Sequence, residues 1–386
     1  MSDRLWPIIL CGVAGSAVFN LAPLYLSASA QHFALDDRQV GWLMSAEIAG
    51  IALASLLVRL ISGRIPLRQA AMIGALCLAI GNAVSLCAGS YNTFLIIRFV
   101  IGFLGDGMLY VTAIVLLGRS ANPVRAFATL SFTNMCFTAS MLWLMPMILV
   151  EIDNTHLSWL FGGLGLAVLI SSRTLDLPQP RQTLNDAPMH RLGHIAPLIG
   201  LIGYALFGAN LGAIWSFAER LGGMIGMATG DASMLLGISI MFQALGSVLA
   251  ILTSRRIAPQ LALMALLATQ SLAALLMAFA SGPDLYLAAF ALWGASWNFG
   301  AAHLLGTLSR LPRGSRILSL APGSEAVGVA LGPLIVSSLL GSGMQSQLSL
   351  VLPVVAITCV ALTTLCYLGL IRRSMISTPL DVSDAR

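Results

Sequence analysis

Five ionisable side chains sit where water should not reach them. Glu47, Arg98, Asp106, His303 and Glu325 each fall inside an apolar run of the chain. A charge near the middle of a membrane span costs roughly 2.5–3.5 kcal/mol on insertion scales, so each needs a partner or a task. A carboxyl group in a low-dielectric setting can take up and release a proton reversibly, which an amide cannot do. Asp106, Glu47, Glu325 and His303 are therefore the candidates for handling protons. Arg98 precedes Asp106 by eight residues, within about 80° on a helical face, so it either neutralises an acid or holds a substrate anion. His303 lies within two turns of the end of its run, where a solvated histidine is the expected reading; titration near pH ~6.5 keeps a proton role open.

Uncharged groups complete the set of candidates. Asn20, Asn134, Gln243 and Asn298 are amides within apolar runs, and Trp293 and Trp297 are one helical turn apart, in line with Asn298. With Phe207 these are the candidate substrate contacts, although packing is the default role of a buried tryptophan. Trp6, Trp42, Trp143 and Trp159 lie nearer the ends of runs, as interfacial anchors do. The six cysteines all fall in apolar runs and read as packing residues, not disulfides or metal ligands.

The elements that carry these residues follow from hydropathy. Apolar residues make up 58% of the 386 and charged residues 9%, against roughly a quarter charged in a soluble domain; the solvent of most of this chain is a bilayer. Runs of about twenty residues, each long enough to cross the hydrocarbon, fall at 6–30, 39–59, 69–90, 93–118, 126–150 and 157–172, then at 195–218, 232–253, 258–280, 285–308, 317–341 and 348–371. An N-terminal leader is an alternative for the first run, but its length and the interruptions Asn20 and Pro23 favour a span. Segment 173–194, with Pro178, Pro180 and Pro188, reads as a linker between an N-terminal bundle (1–172) and a C-terminal bundle (195–373), with 374–386 as a tail. Placing both termini in the cytoplasm puts 17 of the 20 basic residues, all arginine, on that side. This orientation demands an even number of spans.

The second half repeats the first. Gly12, Gly15, Ala17 and Phe19 recur as Gly200, Gly203, Ala205 and Phe207; Gly41, Glu47 and Gly50 recur as Gly237, Gln243 and Gly246; Leu95, Gly102 and Asp106 recur as Leu287, Gly294 and Asn298. Asn134 and Glu325 each lie nine residues after a loop arginine, Arg125 or Arg316. Three matched positions thus hold a carboxylate in one half and an amide in the other. Each half has an even number of spans, so the repeat is parallel, with its axis along the membrane normal.

Twelve spans as six plus six, with cytoplasmic termini and a central linker, resemble the Major Facilitator Superfamily over essentially the whole chain. Arg98-x-x-x-Gly102-x-x-Gly105 is similar to the span-4 signature of that family. Its loop signature after span 2 survives only as Gly63-Arg64, with Leu56 and Leu60 at the expected glycine and acid. The glycine-rich signature of span 5 in the antiporter branch is absent, because 126–150 contains no glycine. The resemblance implies that spans 3, 6, 9 and 12 lie outermost, and these contain no ionisable residue.

The fold class expected is therefore an all-α membrane protein of twelve transmembrane helices in two pseudo-symmetric six-helix bundles. No H-E-x-x-H, G-x-S-x-G, C-x-x-C or phosphate-cradling loop is present, so no enzyme chemistry, metal or cofactor is expected, and no nucleic-acid partner. The expected function is secondary transport of a small organic solute by alternating access, with protons as coupling ion, by a monomer in the cytoplasmic membrane. An exporter of toxic amphiphiles is the alternative, and a non-transporting receptor a remote one.

Overall fold

The structure is a computed structural model that describes residues 5–61, 64–148, 153–174, 195–227, 229–311, 314–340 and 347–376. Most of the linker, residues 175–194, and the tail from 377 lie outside the described residues. Twelve helical rods cross the molecule. In the N-terminal half they are span 1 (Trp6–Asn20 and Ala22–Phe33), span 2 (Asp37–Ile61), span 3 (Leu67–Ser85), span 4 (Tyr91–Gly118), span 5 (Pro123–Ile148) and span 6 (Asn154–Ser171). Spans 7 to 12 are Ile195–Met224, Thr229–Thr253, Pro259–Ala278, Pro283–Ser309, Ala321–Leu340 and Leu348–Ile376. Among the described residues nine helices are singly long and apolar enough to cross a bilayer, and the two pieces of span 1, bent by 52°, make a tenth. The bend falls at Leu21, just before Pro23, which has no N–H to continue the helical ladder. Spans 6 and 10 are the two that fall outside the same measure; span 10 carries the polar Asn298 and His303 within its length.

Local chemistry sets the rod ends. Spans 5, 9 and 10 begin on Pro123, Pro259 and Pro283, where the missing N–H would have had no helical partner. Ser90 caps span 4 by accepting from the Thr93 amide, and Asp153 caps span 6 by accepting from the His156 amide at 2.9 Å. Leu60, Ile170, Phe279 and Leu350 project from the outside of the bundle with most of their surface exposed, as lipid-facing side chains should.

Glycines fix the helix packing that positions the site, since no hydrophobic force operates between helices in lipid. A β-carbon at Gly102 would lie 2.6 Å from the Glu47 carbonyl, and one at Gly294 would lie 2.6 Å from the Gln243 side chain. Spans 2 and 4 therefore meet as spans 8 and 10 do, at the residues that the repeat matches. Spans 7 and 11 touch backbone to backbone through Gly208, Gly212, Gly328 and Gly332.

The two bundles meet where span 5 packs on spans 8 and 10 and span 2 packs on span 11. The seam is tight at the arginine-rich end. Gly306 faces Val124, Gly118 faces Leu318, and a β-carbon at Gly323 would meet Ser55 at 3.0 Å and the Ala52 carbonyl at 3.2 Å. Asn122 also donates to Ser254 across it at 2.9 Å. Along span 5 burial is heavy from Val124 to Leu130 and fades toward Trp143 and Leu144, so the opposite end is the looser one.

Candidate functional site

Span 4 carries the first polar cluster, wholly within the N-terminal half. Arg98 is buried and held on every side. Its Nη2 pairs with Glu47 Oε1, its Nε donates to Glu47 Oε2 at 3.3 Å, and its Nη1 donates to Asn82 Oδ1 at 2.9 Å. The guanidinium lies 4.8 Å from the Tyr25 ring centroid and 6.0 Å from that of Phe161. Asn82 is itself fixed by donating to the Leu78 carbonyl. This bidentate pairing beside two aromatic rings suits arginine and would not suit lysine. In this structure Arg98 is paired with the carboxylate of Glu47.

Asp106 differs. It is as deeply buried as Glu47, 1% against 2% exposed, yet neither of its oxygens has a hydrogen-bond partner among the described residues. Glu47 and Arg98 are within electrostatic reach of it. It ends a six-residue π-helical turn, Ile101–Asp106, inside span 4. A π turn takes an extra residue, so Asp106 does not follow the α-helical register from Arg98, and such turns recur at functional sites. The turn is packed by Gly50 against Phe99 and Phe103, by Gly102 against Glu47 and by Gly105 against Leu78.

The second cluster straddles the seam. Glu325 of span 11 accepts a hydrogen bond from the Tyr204 hydroxyl of span 7 at 3.3 Å, and Tyr110 of span 4, in the other half, is within electrostatic reach of both. Glu325 keeps some accessible surface although it lies deep in the bundle. The pseudo-equivalent positions hold the amide version of the same contact: Ser16 donates to Asn134 Oδ1 at 3.2 Å, and Asn20 donates to Ser16 at 3.2 Å. In the same way Asn298 donates to the Gln243 carbonyl at 3.2 Å, where the N-terminal half places Asp106 near Glu47. The pairing of acid with amide is thus repeated in space as well as in sequence.

The aromatic candidates stack on one another. Phe207 and Trp297 lie with ring centroids 3.7 Å apart and planes at 4°, and Tyr204 flanks Phe207 at 6.1 Å. Trp293 is buried, donates to Asn210 Oδ1 at 3.0 Å, and stands between Trp297 and the half-exposed Trp215. His303 corrects an expectation: it is 6% exposed, not solvated, because the Phe299 ring packs tilted against it at 4.6 Å and Val124 of span 5 meets span 10 one turn away, at Gly306. Among the described residues no group of three or more His, Cys, Asp or Glu converges as a metal site would.

Sequence reasoning missed Tyr25, Asn82 and Phe161 around Arg98, and Tyr204, Tyr110 and Asn210 on the other side. Tyr204 was findable, since it occupies the position of Ser16 in the repeat. Asn82 and Phe161 were not, because the apolar runs 69–90 and 157–172 that hold them contain no charge to draw attention.

Comparison with known proteins places this architecture. Residues 8–333 match the Major Facilitator Superfamily profile, and the chain belongs to that family of transporters. A stretch of 79 residues is 34% identical to NiaP of Bacillus subtilis (strain 168), a candidate niacin/nicotinamide transporter, and covers a fifth of each protein. The Major Facilitator Superfamily transporter FucP in its outward conformation superposes with a TM-score of 0.79 at 16% identity, over 96% of this chain and 99% of that one. The proton:xylose symporter XylE, bound to 6-bromo-6-deoxy-D-glucose, gives 0.73 at 14% identity, over 96% of each chain. The human organic anion transporter MFSD10 gives 0.68 at 13% identity, over 95% and 97%. At these identities the likeness establishes the fold.

Proposed function

We propose that this transporter carries a small organic solute by rocking its two halves about the seam, and that it couples the movement to protons through Asp106 and Glu325. The observation that carries the reading is the unequal treatment of two neighbouring buried acids. Glu47 takes the Nε and Nη2 donors of Arg98 and Asn82 takes Nη1, while neither Asp106 oxygen accepts a hydrogen bond among the described residues. An ionised carboxylate in that position is an uncompensated charge in a low-dielectric setting, and a bound proton removes that cost. Glu325 offers a second buried acid, hydrogen-bonded by Tyr204 of its own half and within electrostatic reach of Tyr110 of the other.

Solute is held, in this reading, between the acids and the aromatic stack, with Asn20, Asn134, Gln243 and Asn298 supplying hydrogen bonds and Phe207, Trp293 and Trp297 an apolar wall. Solutes named for relatives, a nicotinamide-type ring and monosaccharides, fit such a mixed surface and are the first to try. With both termini and the arginine-rich end in the cytoplasm, the closed seam makes this the outward-facing state. A monomer of two bundles, 1–172 and 195–373, joined by a cytoplasmic linker is sufficient for the cycle.

The test is a thermal-shift screen of purified protein against nicotinamide, nicotinate, L-fucose, D-xylose and a metabolite panel, repeated on Asp106→Asn. A compound that stabilises the wild type and not the variant is expected. If every stabilising compound acts equally on both proteins, Asp106 is not part of the transport site.

A further inference from the structure

One side chain ties the acid of span 11 to the aromatic wall. Tyr204 of span 7 is buried; its hydroxyl donates to Glu325 Oε2 at 3.3 Å, and its ring flanks Phe207, which lies face to face with Trp297 of span 10. Trp293 continues the series 6.2 Å further on. The backbones beneath have no room to shift. A β-carbon at Gly208 would lie 2.5 Å from the Glu325 carbonyl, and one at Gly328 would run into the Ala205 carbonyl. A change at the Glu325 carboxyl must therefore be absorbed by side chains, and Tyr204 is the one hydrogen-bonded to it. The other titratable groups that act on this pair are hydroxyls: Tyr110 on span 4 reaches both members, and Tyr367 on span 12 reaches Tyr204. Span 2, which also packs on span 11, presents Ser55 and Ala52 to Gly323, and no charged side chain acts on Glu325 among the described residues. The N-terminal half serves as a comparison. Its matched positions hold Asn134 for Glu325, Ser16 for Tyr204, Gly105 for Trp297, and a Phe19 that is 45% exposed for Phe207. The half with no acid at this place also lacks the tyrosine and the stack.

Given the proton role proposed above for Glu325, on which this rests, we infer that Tyr204 is the positioning residue that carries the charge state of Glu325 to the Phe207–Trp297 stack. An ionised carboxylate accepts a charge-assisted bond from the hydroxyl, about twice as strong as the bond a neutral acid accepts. Aromatic pairs favour offset or edge-on packing over a full sandwich, so the parallel Phe207–Trp297 pair, at 3.7 Å and 4°, is an arrangement its neighbours hold in place. Proton uptake at Glu325 loosens Tyr204, and the two rings behind it slip toward an offset. The apolar wall offered to the solute thus differs before and after the proton binds.

Tryptophan emission of the purified full-length protein, followed through a pH titration in phosphatidylcholine nanodiscs without solute, tests the link. Glu325→Gln defines the part of the pH response that belongs to that acid; responses from Asp106 or His303 survive in this variant and drop out of the comparison. The same part is expected to be lost in Tyr204→Phe, which keeps the ring and removes only the hydroxyl, and in Trp297→Phe, each with a retained thermal transition. Phe207→Leu cuts the series one ring further along while leaving acid, hydroxyl and fluorophore in place, and the same loss is expected there should either of the others fail to fold. A part that disappears in Glu325→Gln but persists in Tyr204→Phe or in Trp297→Phe would overturn the inference and leave Glu325 as a proton carrier. A response that Glu325→Gln does not change at all would overturn both.

Discussion

Glu47→Gln and Asp106→Asn remove one negative charge each from side chains of equal burial, and the structure separates their costs. Glutamine at 47 leaves the Arg98 guanidinium with Asn82 and the Tyr25 and Phe161 rings, but with no charge of opposite sign in contact. Breaking a buried pair in this way costs about 3–5 kcal/mol. Asp106 is within reach of Arg98 and can take over part of the pairing, which places the expected loss near the lower bound, about 3 kcal/mol. Asparagine at 106 removes a charge that no hydrogen bond compensates, and its stability should stay within about 1 kcal/mol of wild type or exceed it. Replacing both partners, as Glu47→Leu with Arg98→Leu, removes the buried ions together and should recover most of the single-variant loss. Reversible unfolding in mixed micelles titrated with dodecyl sulfate reads wild type, the two amide variants, the double leucine variant and its two single leucine variants on one scale. If Asp106→Asn loses as much as Glu47→Gln, or if the double variant loses the sum of its singles, the assignment of a structural pair beside a free acid is wrong.

Two further outcomes follow from the packing. Gly323→Leu places a branched side chain where a β-carbon already meets Ser55 and Ala52, so it should wedge the arginine-rich end open; Ser55→Cys in that background should react with an impermeant maleimide at least severalfold faster than Ser55→Cys alone. Asp153→Ala removes the cap of span 6 and should cost about 0.5 kcal/mol, the low end for an exposed cap. The His156 amide holds the Asp153 carboxyl below its ordinary value; a lowered value means stabilisation that is complete above the unfolded value of about 3.9 and is lost as pH falls through the folded one. The stability gap between wild type and Asp153→Ala is therefore constant near neutrality and closes in acid.

The sequence carried the architecture because a bilayer leaves few choices. Twelve apolar runs, the arginine distribution and the matches of Glu47 with Gln243 and of Gly102 with Gly294 were each readable without coordinates; the structure adds that the matched residues meet in equivalent close approaches. The three acid and amide pairs were also legible, because matched helices of a parallel repeat must occupy matched places. What the pattern could not state was the partnership among buried groups. Arg98 and Asp106 eight residues apart look like an ion pair on one helix; the π turn between them and the arrival of Glu47 from span 2 give Arg98 a different partner. His303 was placed by its distance from the helix end, a measure blind to span 5 packing over it. Which end of the seam is closed is likewise a property of two halves in contact, and no single span records it.

The central claim is that proton movement through Asp106 and Glu325 drives the solute. It is tested most directly in proteoliposomes by following uptake of the solute that stabilises the purified protein, with and without an imposed pH gradient. The account predicts that a gradient speeds wild-type uptake severalfold, and that Asp106→Asn and Glu325→Gln lose this response while solute exchange without a gradient persists. Wild-type uptake that is indifferent to the gradient would contradict it.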